Sequence, residues 1–87
     1  MDTYQVEWKR SAAKELKPLP NAIIRRIVEA VEGLATDPFP HNAIKLIGSE
    51  HTYRIRIGDC RVIYSVDSTI RAIEIVRVRH RRDVYQR

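Results

Sequence analysis

The chain has 87 residues, a formal charge of +5, and 44% hydrophobic against 31% charged residues. That length allows one domain, residues 1–87, with a modest core, because a chain this short buries only about 60% of the surface it exposes when unfolded. The composition excludes a disordered chain. No apolar run reaches the roughly 20 residues of a membrane span, and the single cysteine, Cys60, excludes an internal disulfide and fits a reducing compartment.

Residues 1–49 carry seven Lys/Arg and six Asp/Glu, whereas residues 50–87 carry nine against five, and all nine are arginine. Arginine presents a planar fork that matches phosphate in bidentate fashion, while lysine acts as a point charge. A basic half of this kind suits a polyanionic partner. The chain opens directly on an alternating segment, so no signal peptide is expected, no membrane association follows, and the cytoplasm is the expected location.

In chain order, Tyr4, Val6 and Trp8 alternate with Gln5 and Glu7, the pattern of a half-buried strand. Ser11–Lys17 is a short helical stretch with Ser11 as its N-cap, closed by Pro18 and Pro20. Asn21 caps the next segment, in which Ile23, Ile24, Ile27, Val28, Val31, Leu34 and Ala35 recur at spacings of three and four. That stripe predicts a helix of about four turns, stopped by Asp37-Pro38-Phe39-Pro40. Residues 41–50 read as a loop or short extended piece with Gly48-Ser49 as its turn. Three strand-like runs follow, His51–Ile57, Cys60–Val66 and Ile70–Arg79, separated by Gly58-Asp59 and Asp67-Ser68-Thr69. Connections so short allow only antiparallel hairpins. The last run is apolar on both parities, as an interior strand should be. The expected fold is α+β, in the order β-α-α-β-β-β, with a helical hairpin packed on a mainly antiparallel sheet. Strand order is not legible at this level.

If Gly58-Asp59 is a two-residue turn, Ile57 pairs with Cys60 and the whole register follows: Arg56 opposite Arg61, Ile55 opposite Val62, Arg54 opposite Ile63, Tyr53 opposite Tyr64. One face then carries Tyr53, Ile55, Ile57, Val62 and Tyr64 for packing, and the other clusters Arg54, Arg56 and Arg61. Directly opposed like charges destabilise a sheet by up to roughly 1 kcal/mol. The plain alternative is that each arginine lies along the surface or pairs with Asp59 or Asp67. An anion site, with phosphate as the anion, accounts better for the opposition. Beyond the last strand, Arg79, His80, Arg81, Arg82 and Tyr85 add further cations and two groups able to transfer protons. The aromatic residues Tyr4, Trp8, Tyr53 and Tyr64 fall on the apolar parity and read as core.

The blocks Lys9–Leu16, Lys45-Leu46, Tyr53–Tyr64 and His80–Tyr85, in this order, are similar to those of the RelE/ParE superfamily of toxins from type II toxin–antitoxin systems. The resemblance covers essentially the whole chain. It implies helices packed on an antiparallel sheet and a cognate antitoxin, here expected to offer an acidic or amphipathic segment. In the RelE branch it also implies cleavage of mRNA in the ribosomal A site. Carried over residue by residue, Arg54 and Arg56 stand where the best-known RelE toxin has lysines. Arg61 matches a phosphate-binding arginine, Arg81 the catalytic arginine after the last strand, and Tyr85 a C-terminal catalytic tyrosine. The tail is two residues shorter here. His80 stands where many relatives have histidine.

These residues lead to the expectation of a metal-free, cofactor-free endoribonuclease that inhibits translation. Arg61 and Arg81 would meet the scissile phosphate, Arg54, Arg56, Arg79 and Arg82 the backbone, and His80 and Tyr85 would share acid and base roles in an order left open. Arg54 and Arg56 stay protonated and so stabilise charge instead of accepting protons. His41, His51, His80 and Cys60 show no metal-ligand spacing. Two rivals stand beside this reading: a gyrase inhibitor of the ParE branch, and a basic RNA-binding module without chemistry.

Overall fold

The computed structural model describes residues 3–80. Among them the order is β1 (Gln5–Trp8), α1 (Arg10–Leu16), α2 (Asn21–Leu34), β2 (Ile44–Lys45), β3 (Thr52–Ile57), β4 (Cys60–Asp67) and β5 (Ala72–His80). The strands form one sheet in the order β1-β5-β4-β3-β2. All pairings are antiparallel except β1 with β5, which is parallel. A strand at the N-terminus can lie parallel to the last strand because the connection between them is long, with α1, α2 and three strands intervening, as parallel pairing requires. The expected α+β architecture is therefore present, with β5 interior as its two apolar parities predict. The short extended piece between helix and hairpin becomes the two-residue edge strand β2.

The core lies between the helices and one sheet face. Ala12 of α1 and Ile27, Val31 and Leu34 of α2 meet Ile55, Ile57, Cys60, Val62, Tyr64, Val66, Ile73, Ile75 and Val78 of the sheet. The stripe read from spacing thus buries its central members, while Ile23 and Ile24 are half-buried nearer the helix start. The two expected caps are corrected. Lys9 and Pro20 precede the helices, and neither helix has a side-chain cap. Ser11 is already inside α1 and its hydroxyl donates to the Val76 carbonyl at 3.3 Å instead. Asn21 is the first residue of α2, whose entry follows from Pro20 at φ −58° and ψ 147°.

Tyr64 ties the sheet to the end of the helical layer. Its hydroxyl donates to the Pro38 carbonyl at 2.8 Å, its ring stacks on Tyr53 with centroids 5.9 Å apart, and Tyr53 meets Phe39 edge-on at 5.1 Å. Burial, then the neighbouring Tyr53 and Asp37, pushes the Tyr64 phenol up to about 12.

The β3–β4 register is the one the two-residue turn predicts, from Ile57 opposite Cys60 back to Tyr53 opposite Tyr64. Gly58 carries a positive φ of 59°, as the first central residue of a type II′ turn requires. Between β4 and β5 the register slips: Tyr64 pairs with Ile75 but Ile63 pairs with Arg77, leaving Val76 as an extra residue on β5. Strict alternation after Ile73 and Ile75 would have sent Arg77 into the core. The bulge turns Arg77 outward and Val78 inward, where it is buried.

Candidate nucleic-acid interface

On the sheet face away from the helices, the registers stack side chains into rows that cross the strands. One row runs Arg56, Arg61, Arg79 across β3, β4 and β5. The next runs Ile44, Arg54, Ile63, Arg77 from β2 to β5. Directly paired residues point to the same side of a sheet, so five arginines occupy one end of this face. Two hairpin turns and one bulge place them there.

Arg54, Arg56 and Arg61, with Asn42 and Ile44, line a shallow hollow of about 150 Å³. Arg56 and Arg61 are exposed and Arg54 is half-buried. Among the described residues no carboxylate lies within ion-pair distance of these three. Arg56 donates from Nε to the Gly58 carbonyl at 3.1 Å, which directs its guanidinium over the turn. The alternative of pairing with Asp59 or Asp67 is therefore not realised. Asp67 instead accepts from the backbone N–H groups of Thr69 and Ile70. Three guanidiniums around one hollow, with no acid paired to them among the described residues, make it a candidate anion site, since an added negative group would relieve their mutual repulsion.

Arg77 and Arg79 differ. Glu15 of α1 takes Arg77 at 3.2 Å from Nε and 3.1 Å from Nη2, and reaches Arg79 Nη1 at 3.6 Å. His80 pairs with Cys60, so alternation sends it toward the helix side of the sheet and away from the arginine rows. Arg81, Arg82 and Tyr85 lie outside the described residues. Of the expected site residues, then, the structure brings together Arg54, Arg56 and Arg61. It places Arg79 in the same row but paired to an acid, and it turns His80 elsewhere. Sequence reasoning missed Arg77, which the bulge alone brings to this face, and Asn42 and Ile44, which a loop and a two-residue strand bring beside the arginines. It also missed Glu15. The signal available for Glu15 was its i, i+4 spacing from Ser11, which puts both polar groups on one side of a helix.

A larger hollow of about 640 Å³ lies at the other end of the sheet, lined by Glu7, Asp67 and Glu74 among others. Its acidic wall is unsuited to phosphate. The smaller hollow is the one whose chemistry fits a nucleic-acid backbone.

Comparison with known proteins identifies the family. Residues 6–85 match the family model described as ParE toxin of type II toxin–antitoxin system, parDE. The chain is 35% identical to a putative toxin RelE1 of Methanocaldococcus jannaschii, over 95% of this chain and 96% of that one. It is 31% identical to toxin RelG of Mycobacterium tuberculosis, over 97% and 98% of the two chains. Among solved structures, the archaeal RelE–RelB complex from Pyrococcus horikoshii aligns with a TM-score of 0.82 and 38% identity, covering 91% of this chain and 96% of that one. In sequence over nearly its whole length, and in fold, the chain belongs to the RelE/ParE superfamily: it is a toxin of a type II toxin–antitoxin system.

Proposed function

We propose that this toxin is an endoribonuclease that cuts mRNA in the ribosomal A site. The observation that carries the reading is the hollow bounded by Arg54, Arg56 and Arg61, with no acid paired to any of them among the described residues. In the proposed step a ribose 2′-oxygen attacks the adjacent phosphorus as its proton leaves. The bond to the 5′-oxygen breaks and that oxygen takes up a proton, leaving a 2′,3′-cyclic phosphate and a 5′-hydroxyl. Negative charge builds on the phosphorane, and preorganised cations lower the barrier most where that charge appears. Arg61 meets the phosphate and Arg54 and Arg56 the flanking backbone, so the step calls for no metal. Arg81 and Tyr85 complete the set by resemblance, as a second phosphate contact and a proton-transfer group. His80 is left out because its register turns it away.

The test is to add purified toxin to translating ribosomes and map messenger 5′ ends. In-frame cuts that disappear with Arg61→Ala and Tyr85→Phe support the nuclease, and an uncut messenger ends this reading. The matching family model favours a second reading, gyrase inhibition of the ParE type, for which trapped DNA breaks are the readout. The RelE1 and RelG relatives favour the first.

The reading extends to partners and place: the toxin acts in the cytoplasm and is held inactive by a cognate antitoxin whose acidic or amphipathic segment covers the arginine face. The solved relative from Pyrococcus horikoshii is a RelE–RelB complex, which supports the antitoxin partner. Capture on immobilised toxin from native lysate should retain a small acidic protein.

A further inference from the structure

β1 stops at Trp8 while β5 continues to His80, so among the described residues the second half of β5 has no neighbouring strand on that side. Lys9 and helix α1 supply the missing partners. The Lys9 backbone N–H donates to the Ile75 carbonyl at 2.9 Å, Ser11 Oγ donates to the Val76 carbonyl at 3.3 Å, and Glu15 Oε1 accepts from the Val78 N–H at 2.8 Å. The last of these anchors the carboxylate to the main chain. Its other oxygen, Oε2, is the atom that holds Arg77 and Arg79.

We propose that Glu15 is a positioning residue that withholds Arg77 and Arg79 from RNA, so that Arg54, Arg56 and Arg61 alone form the phosphate-binding set of the sheet. This inference rests on the RNA reading above and revises the expectation that Arg79 contacts phosphate. The cross-strand rows offer five guanidiniums to a passing backbone. Two of them already have an anionic oxygen, from a carboxylate that its main-chain hydrogen bond prevents from swinging away. Glu15 is only 25% exposed, whereas Arg77 and Arg79 keep 43% and 39% of their side-chain surface, so the arginines come to the acid and not the reverse. A phosphodiester would have to displace that carboxylate to recruit them, whereas at the Arg54–Arg56–Arg61 hollow no carboxylate of the described residues is paired to the arginines. Withholding two of five cations also confines the strand to one track, because a uniformly basic face would hold RNA equally well in several registers.

The number of phosphates neutralised can be read from salt dependence. For single strands, log K falls against log salt with a slope near −0.7 per phosphate contact. The experiment measures binding of a fluorescent 12-nucleotide single-stranded RNA by anisotropy, from low to high salt, with the full-length toxin. Arg77→Gln/Arg79→Gln should leave the slope unchanged, while Arg54→Gln/Arg56→Gln should flatten it by about 1.4, two contacts' worth. Glu15→Gln keeps an acceptor for the Val78 N–H but removes the charge. It should steepen the slope by up to about 1.4, and adding Arg77→Gln/Arg79→Gln should restore the wild-type value. In cleavage assays Glu15→Gln should lower KM with no gain in kcat. If Arg77→Gln/Arg79→Gln flattens the slope as much as Arg54→Gln/Arg56→Gln does, the inference fails and the RNA reading stands. That comparison holds even if Glu15→Gln does not fold. Wild-type toxin whose RNA binding shows no salt dependence would remove both.

Discussion

The two ends of the open sheet face are built on the same strands with opposite chemistry. At one end the rows Arg56–Arg61–Arg79 and Arg54–Ile63–Arg77 cross the sheet, and at the other the row Thr52–Ser65–Glu74–Glu7 does. Along β4 the two ends are separated by the step from Arg61 to Ser65, about 13 Å at a strand's rise per residue. The backbone is the same kind of ladder throughout, so the contrast lies entirely in which side chain each register brings to a row. The acidic end offers the larger hollow and the basic end the one suited to phosphate. Size of cavity and functional chemistry are separate properties of this molecule.

The most severe way to break the contrast is to insert one alanine between Val76 and Arg77. The added residue takes the outward place opposite Ile63, so alternation drives Arg77 to the inward place opposite Val62 and Val78 out of the core. Burying an unpaired guanidinium costs several kcal/mol, roughly the whole stability of a small domain. Thermal melting should show little or no cooperative transition.

A milder break leaves the fold intact. Arg61→Ala removes the middle cation of the basic row and should lower the cleavage rate by about 100- to 1,000-fold, the usual cost of losing one preorganised charge-stabilising group. Glu74→Gln, in the acidic row, should change it less than about twofold, a change too small to register as catalytic. Quantified messenger cleavage on ribosomes compares them directly, and equal losses would abolish the functional difference between the two ends.

Next in size is Tyr64→Phe, which tests the helix side of the strand that carries Arg61. Loss of the bond to the Pro38 carbonyl should cost about 1–3 kcal/mol in denaturant unfolding. The same group gives a pH signature. The folded phenol titrates near 12 and the unfolded one near 10. The folded state therefore holds its proton more tightly, and this contribution is fully present below about pH 10. It falls as pH rises toward 12, by about 2 kcal/mol. Tyr64→Phe should lack that part of the alkaline decline.

The smallest effect is at the turn that sets the arginine register. Gly58→Ala should cost about 1 kcal/mol, because its φ is positive and a Cβ there would sit 3.4 Å from the Arg26 guanidinium. A larger loss of cleavage than of stability would show that the turn also aims Arg56, whose Nε donates to the Gly58 carbonyl.

Much of this was legible in the chain itself. Turn length and alternation determined that Arg56 opposes Arg61 and that Tyr53, Ile55, Val62 and Tyr64 face the other way, because a two-residue hairpin leaves one register and a strand has a period of two. The spacing of Ile27, Val31 and Leu34 likewise determined which side of α2 is buried. Local patterns of this kind need only neighbours in sequence. Tertiary structure decided what depends on partners far apart in the chain. The bulge at Val76 set the side on which Arg77, Val78 and His80 emerge, Ser11 was taken from capping duty to seal the β5 edge, and Glu15 was brought to two arginines more than sixty residues away. No period in the sequence encodes those choices, since each follows from where α1 comes to rest against an edge that β1 leaves unpaired.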